Sequence, residues 1–322
     1  MKLVASILAL AIGTISCDGT TEVVIEHQHQ VSGQGSVLHS IQTSNRPHRG
    51  VRRYEVHGEV RGAQHALSYI EEVADDGKGC FRIRPVEVTS NLVDTFLYRG
   101  MLEERQAFMR RYRDVELRNL ELVFENYEVS DLGIDEDVAG RACELLSIVS
   151  RDGERRYELA VDTESAMVLR YAEIDSDGLI TRSMEYLELD LEADLSDLDC
   201  FENTITEREF SDGDDLGYEP WDPRVLPDGY RELETSRISG PLGGQWLKKT
   251  YTDGIEALFL LQREAAQKKT AGAAIAQVAD EVMVYTEGLL TVLQGKIAGR
   301  EVIAVGRASA DELLSFLDSG KP

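Results

Sequence analysis

The sequence predicts an α+β protein in which antiparallel β-strands supply most of the core. Within Arg155–Leu191 apolar and polar residues alternate, and this period of two is typical of strands with one buried face. Turn-forming Asp and Gly residues at Arg151–Gly153 and Asp175–Gly178 would fold consecutive strands back on one another as a meander. Within Met101–Tyr127 the apolar residues instead follow helical spacing, which predicts one or two amphipathic helices.

The remaining elements of the first half follow from the same criteria. A short helix is predicted at Ser36–Thr43. The predicted strands are Gly50–Val60, Phe81–Ile83, Val86–Val88, Arg141–Ser150, Arg155–Val161, Met167–Asp175 and Leu179–Leu191. Pro85 separates two of them, because proline lacks the amide hydrogen that strand pairing uses. We assign residues 36–191 to a first, β-rich domain.

A strongly acidic segment, residues 192–222, separates this domain from a second one at residues 223–322. Arg208 alone opposes its negative charge, and such a run resists collapse, which favours an interdomain linker over an acidic binding surface. The predicted strands of the second domain are Tyr230–Ile238, Gln245–Tyr251, Ile255–Gln262, Glu281–Thr286, Leu289–Lys296 and Glu301–Val305. Ser309 and Glu312 have capping-box spacing and predict a closing helix.

Residues 1–17 have the order of a secretory signal. Lys2 precedes the apolar run Leu3–Ile12, which is too short to cross a bilayer. Thr14–Cys17 resembles the bacterial lipobox, although threonine stands where leucine is usual, so Cys17 is the expected lipidation site and membrane anchor. Export without a lipid is the alternative. The polar residues 18–35 are predicted to form a flexible tether.

Charge and composition limit the possible partners. The formal net charge is −25, which repels nucleic acids and anionic lipid head groups, so we expect no nucleic-acid partner. The one basic cluster contains Arg46, Arg49, Arg52 and Arg53 around His48. It could dock an acidic partner, a lipid phosphate or the acidic linker of the chain itself, or it could simply be the solvated start of a strand.

The sequence lacks the usual signatures of catalysis, namely GxSxG, a Walker-type glycine loop, HExxH, and GxGxxG in a βαβ context. His27 and His29 could chelate a metal ion, but no third ligand lies near them in the chain. We therefore expect no catalytic residue, no cofactor and no metal site. A hydrolase that uses unrecognised carboxylates is the minor alternative.

The cysteines favour one disulfide and one free thiol in an oxidising envelope. If Cys17 is acylated, Cys80, Cys143 and Cys200 remain, and the sequence does not give their pairing. A buried, unpaired cysteine within a strand is the favoured interpretation of Cys143.

Several short motifs of the sequence resemble the MucB/RseB family of periplasmic sigma-E regulators, which is itself similar to the LolA/LolB lipoprotein carriers. In the first domain these motifs are Tyr157–Asp162, Leu169–Arg170 and Asp177–Gly178. In the second domain they are Leu226–Tyr230, Tyr251–Ile255 and Val305–Gly306, in the order of the family. The lipobox-like Cys17, the three further cysteines and the acidic linker depart from the family pattern.

This resemblance implies an N-terminal LolA-like open antiparallel β-half-barrel wrapped around helices with an apolar cavity, followed by a smaller C-terminal α/β domain. It also implies a non-enzymatic envelope regulator that binds the periplasmic segment of a membrane anti-sigma factor. A lipid or lipoprotein acyl chain would be the signal for release. The alternative is a lipoprotein or lipid carrier or acceptor of the LolA/LolB type, with no anti-sigma partner.

Overall fold

The computed structural model describes residues 35–60, 63–78, 80–90, 114–198, 206–211, 215–239, 245–264, 282–287, 290–297 and 299–318. The helices are α1 (35–43), α2 (Leu120–Asn126) and α3 (Ala310–Asp318). The strands are β1 (His48–Val60), β2 (Ala63–Asp75), β3 (Phe81–Ser90), β4 (Tyr127–Val138), β5 (Arg141–Ser150), β6 (Arg155–Asp162), β7 (Val168–Asp175), β8 (Ile180–Asp190), β9 (Thr206–Glu209), β10 (Arg231–Ser239), β11 (Gln245–Thr252), β12 (Ala257–Glu264), β13 (Val282–Glu287), β14 (Leu290–Ile297) and β15 (Arg300–Gly306). None of the helices among these residues is long and apolar enough to span a membrane.

The first domain is an open sheet of eight strands in the order β3-β2-β1-β8-β7-β6-β5-β4, and its described strand pairs are antiparallel. Its inner face carries stacked tyrosines, since the Tyr54 and Tyr69 rings lie 5.1 Å apart and Tyr171 meets Tyr54 edge-on. Leu38 of α1 and Val123 of α2 are fully buried in the same core. The inner face of this sheet therefore packs against helices, in agreement with the predicted half-barrel.

The second domain is a sheet of seven strands in the order β13-β14-β15-β12-β11-β10-β9. Its α3 lays Leu313, Phe316 and Leu317 on one face, where Trp221 and Tyr251 meet the Phe316 ring edge-on. The capping box predicted for this helix forms, because the Ser309 hydroxyl accepts from the Glu312 N–H at 3.2 Å. The α+β class is confirmed, although the described strands of this domain pair in the antiparallel manner rather than as an α/β unit.

Three strands escaped the sequence prediction, namely β2, β4 and the short β9. The inner face of β2 carries the buried Glu71 and Asp75 among its apolar residues, which interrupts the alternation that indicates a strand. In β4 most side chains are exposed, and the register shifts between Asp131 and Asp135, so the strand shows little apolar period.

Pro85 does not divide β3 as predicted. The strand lies at the edge of its sheet, where a proline costs no interior hydrogen bond, and the register shift between Ile70 and Glu71 lies opposite it. Residues 192–222, predicted as an interdomain linker, also contain a strand, because β9 within them pairs with β10 of the second sheet. Of the predicted Met101–Tyr127 helices, α2 is observed, while residues 101–113 lie outside the described residues.

Candidate functional site

The turn between β11 and β12 is the point at which the second domain enters the first. We call its four buried residues, Asp253–Glu256, the docking turn. Asp253 Oδ1 accepts hydrogen bonds from the N–H groups of Ile255 (3.0 Å) and Glu256 (2.8 Å). The Thr252 hydroxyl donates to the Glu256 carbonyl oxygen at 2.7 Å and accepts from the Gly254 N–H at 2.9 Å. The turn thus fixes its own shape and can dock as a rigid unit.

Gly254 allows the docking turn to approach the backbone beside α2. Its carbonyl oxygen accepts from the N–H groups of Arg118 (2.8 Å) and Asn119 (3.3 Å). The φ angle of Gly254 is +112°, and a Cβ added there would lie 2.6 Å from the backbone nitrogen of Val123. The next residue, Ile255, then inserts into the core of the first domain. Close contact between the domains therefore depends on a glycine at this position.

The carboxylate of Glu256 lies in a buried ionic group that we call the seam cluster: Tyr157, Glu173, Arg182, Glu256 and Arg307. Glu256 Oε1 accepts from the Tyr157 hydroxyl (2.9 Å), Arg182 Nη2 (3.1 Å) and Arg307 Nη1 (2.8 Å). Glu173 binds Arg182 at 2.9 Å and holds Arg307 through both carboxylate oxygens. Each domain supplies one glutamate and one arginine, and docking adds the cross-domain ion pairs Arg182–Glu256 and Arg307–Glu173 to the pairs within each domain.

The surroundings of Glu256 keep it ionised. Burial opposes its charge, but the positive charges of Arg307, Arg182 and Arg155 and the Tyr157 hydrogen bond prevail and lower the pKa of Glu256 to about 2. Burial, together with Glu256 and Glu173, holds the pKa of Tyr157 well above its ordinary value. Near neutral pH the seam cluster therefore contains a charged Glu256 and a protonated Tyr157, which is suited to holding two domains together.

The Asp253 side chain makes a second buried contact between the domains. Its Oδ2 accepts from the Tyr127 hydroxyl at 2.7 Å and lies 3.4 Å from Arg155 Nη2. Burial raises the pKa of Asp253, while Arg155 and Tyr127 oppose that rise. The Asn126 amide adds neutral hydrogen bonds to the carbonyl oxygens of Asp253 (2.8 Å) and Gly229 (3.0 Å). Both faces of the docking turn are thus hydrogen-bonded to the first domain.

The four arginines predicted as a docking cluster do not share one surface. Adjacent residues of a strand point to opposite faces, and Arg52 points inward, where it is 4% exposed and binds Glu71 at 2.5 Å. Arg52 therefore does not belong to a docking surface. Arg46 and Arg53 are exposed, whereas Arg49 binds the acidic segment that follows β8. Partner docking by the three outward arginines remains a prediction, and Cys17 lies outside the described residues.

The two described cysteines differ in state. Cys143 is a free, buried thiol, as expected, and burial followed by the negative charge of Asp162 raises its pKa to about 11. Cys80 is disulfide-bonded. Within the described ranges, no group of three or more His, Cys, Asp and Glu residues could hold a metal ion.

The sequence marked the docking turn without showing its role. Tyr251–Ile255 stood out as a hairpin turn and as a motif that resembles the family, but Glu256 did not. Glu173, Arg182 and Arg307 were not singled out either, because ordinary charged residues on strands or loops carry no distinguishing pattern. The one available signal was a charged residue on a strand face that is otherwise apolar. Glu173 is such a residue, because it shares its face of β7 with Leu169 and Tyr171.

The fold and the seam define an antiparallel β protein of two sheets in which a turn of the second sheet inserts into the core of the first. Residues 89–204 match the family model described as the MucB/RseB N-terminal domain. This match confirms the resemblance to the MucB/RseB family that was noted in the sequence.

Solved structures similar to the chain include the MucA/MucB complex of Pseudomonas aeruginosa, at 14% identity over 88% of this chain and 97% of that one, with a TM-score of 0.48. A crystal structure of MucB is similar at 15% identity over 90% and 98%, with a TM-score of 0.47. A DUF1329 family protein from Desulfovibrio piger is 10% identical over 69% and 91%, with a TM-score of 0.22. No curated protein is significantly similar in sequence.

Proposed function

We propose that this protein is a non-enzymatic regulator of the cell envelope that binds the periplasmic segment of a membrane anti-sigma factor. The observation that carries the proposal is the match of residues 89–204 to the MucB/RseB N-terminal domain. Solved MucB structures include complexes with MucA and with its periplasmic part, and we assign the same class of partner to this chain. Such binding would shield the anti-sigma factor from proteolysis, keep it active and thereby regulate an extracytoplasmic-function sigma factor negatively.

The seam between the domains is suited to such a regulator. The docking turn contributes Ile255 to the core of the first domain and Glu256 to the seam cluster, so separating the domains would expose an apolar side chain and break the Arg182–Glu256 and Arg307–Glu173 ion pairs. A partner that prefers one arrangement of the domains can therefore shift their equilibrium by its differential affinity. Regulation of this kind needs no catalytic residue.

The release signal and the location belong to the same proposal. The apolar interior of the open sheet, which already holds α1, is the part of the described fold suited to an acyl chain, so we propose a lipid or lipoprotein as the signal. We place the protein in the periplasm, with membrane attachment through a lipidated Cys17. A lipoprotein carrier of the LolA/LolB type would use the same interior without an anti-sigma partner.

The decisive test is a binding titration with purified components. The full chain is titrated by calorimetry with the periplasmic segment of an anti-sigma factor encoded beside a sigma factor in the same genome, and we expect a saturable complex of one to one. Glu256→Gln should change the affinity, because it alters the equilibrium between the domains, whereas Glu264→Gln, at the exposed end of β12, should not.

Two outcomes would contradict the proposal. One is the absence of binding to each such segment, and the other is recovery of the chain from the envelope with acyl chains but without a protein partner. The second outcome would favour the carrier function.

A further inference from the structure

The acidic segment that follows β8 returns across the outer face of the first sheet. We call residues 192–198 the strap. Arg49 Nε donates to the Asp194 carbonyl oxygen at 2.9 Å, and the Arg49 guanidinium binds the Asp197 carboxylate. Arg82 Nη2 lies 3.6 Å from the same carboxylate. A carboxylate of the chain itself therefore occupies a site between two arginines.

The register of three strands brings these two arginines together. Arg49 of β1 is paired with Ala74 of β2, and Ala74 with Arg82 of β3. Directly paired residues of antiparallel strands point to the same face, so the two guanidinium groups flank one small side chain. We call Arg49, Ala74 and Arg82 the arginine corner. Because guanidinium groups match the geometry of carboxylates, the sheet itself forms a site for an acidic side chain.

A cleft of about 360 Å³ opens at the arginine corner, and Val51, Ala74 and Leu189 contribute apolar surface to it. Its lining also includes three carboxylates, of which Glu72 is bound by Arg84. The charges of the two arginines then balance those of the other two, Glu188 and Asp190. On a chain with a net charge of −25, such a neutral cleft repels an acidic segment far less than the average surface does.

The strap is held weakly enough to be displaced. The side chain of Asp197 is 63% exposed, and ion pairs with so exposed a partner contribute little because water screens them. The strap also keeps its shape by local hydrogen bonds, since the Ser196 N–H donates to Asp194 Oδ1 and the Leu198 N–H to the Leu195 carbonyl oxygen, each at 2.9 Å. Its release would therefore break few contacts with β1 and β3.

We propose that the arginine corner is a docking site for an acidic segment of a partner protein, and that the strap occupies this site until the partner displaces it. Asp197 defines the chemistry that the corner accepts, namely a carboxylate between two guanidinium groups. A short peptide meets the neutral cleft alone, whereas an anionic membrane would meet the negative charge of the whole protein. The inference rests on the proposed function only for the presence of a protein partner.

The strap sets a threshold for such a partner. Because it belongs to the same chain, it competes at an effective concentration in the millimolar range. Two exposed ion pairs should favour the occupied corner about three- to ten-fold over the free one. The apparent affinity of an acidic partner is lowered by the same factor, since only the free corner can bind it.

The first test is a nuclear magnetic resonance titration of the full mature chain, labelled with ¹⁵N, with a synthetic peptide of residues 190–198, DLEADLSDL, with blocked ends. We expect millimolar binding that shifts the N–H signals of Arg49, Arg82 and the strap. Asp197→Asn in the protein should tighten the binding about three- to ten-fold, because it frees the corner. The matched control Glu192→Gln, an exposed strap residue, should leave the affinity unchanged.

The second test removes the arginines in the Asp197→Asn background. Arg49→Gln and Arg82→Gln should each weaken the binding of the peptide at least about three-fold, whereas Arg53→Gln, the same charge change at an exposed position of β1, should not. Equal affinities of the wild type and Asp197→Asn would overturn the proposal. Binding to phosphatidylglycerol vesicles in place of the peptide, or a dimer formed by exchange of straps between two copies, would also overturn it. The titration needs no anti-sigma factor, so its failure would leave the proposed function standing.

Discussion

Replacement of Glu256 by glutamine tests whether the seam cluster holds the domains together. The substitution keeps the size of the side chain and removes its charge, which leaves Arg182 and Arg307 with Glu173 as their remaining glutamate partner. Breaking a buried ion pair from one side costs about 3–5 kcal/mol. The pKa of Glu256 gives a similar figure, because its fall from 4.5 to about 2 corresponds to about 3 kcal/mol.

The assay is urea unfolding of the wild type, Glu256→Gln and the exposed control Glu264→Gln at pH 7. We expect the unfolding free energy to fall by about 3 kcal/mol in Glu256→Gln and to stay within about 0.5 kcal/mol in the control. A loss below about 1 kcal/mol in Glu256→Gln would refute the reasoning, since the cluster would then contribute no more than a surface ion pair.

The wild type and Glu256→Gln also test the sign with which the unfolding free energy depends on pH. The lowered pKa of Glu256 means that its stabilisation is complete above its ordinary pKa of 4.5 and is lost as the pH falls towards about 2. Asp253 acts in the opposite sense, because its raised pKa favours the folded state at low pH, but it is present in both proteins. The difference between wild type and Glu256→Gln should therefore shrink as the pH falls from about 4.5 to about 2, and a constant difference would contradict the assignment.

Three further substitutions or treatments probe the remaining features. Gly254→Ala should destabilise the protein by about 2 kcal/mol or more in urea unfolding, because the added Cβ meets backbone beside α2, whereas Gly178→Ala, with open space and φ +80°, should lose only about 1 kcal/mol. Arg52→Gln should cost about 3–5 kcal/mol in the same assay, because it removes the guanidinium that binds the buried Glu71, and the exposed Arg53→Gln should be nearly neutral; equal effects would show that Arg52 is not structural. Cys143 in the native chain should resist iodoacetamide at pH 8 and react fully in denaturant, as followed by mass spectrometry; rapid native labelling would contradict its burial and its raised pKa.

The sequence could predict most strands because their apolar period is local. Arg141–Ser150 was predicted at its observed bounds, and β6, β7 and β8 within one or two residues, since each has one buried face between clear turns. The same criterion missed β2, whose inner face carries buried carboxylates.

The seam cluster was beyond such criteria because it is not local. Arg307 and Glu173 are 134 positions apart in the chain, and Tyr157 and Glu256 are 99 apart. With 59 acidic and 34 basic residues, the sequence permits far too many pairs for any one to be selected.

By itself, the sequence determined the β-rich α+β class, the turn at Asp253 and Gly254, and the first-domain motifs that lie within the residues matched by the MucB/RseB model. Only the tertiary structure decided that this turn enters the first domain and that Arg52 serves the interior rather than a surface. The reason is physical: periodicity and turn chemistry act over a few residues, whereas the burial that makes a charge structural depends on which distant strands are packed around it.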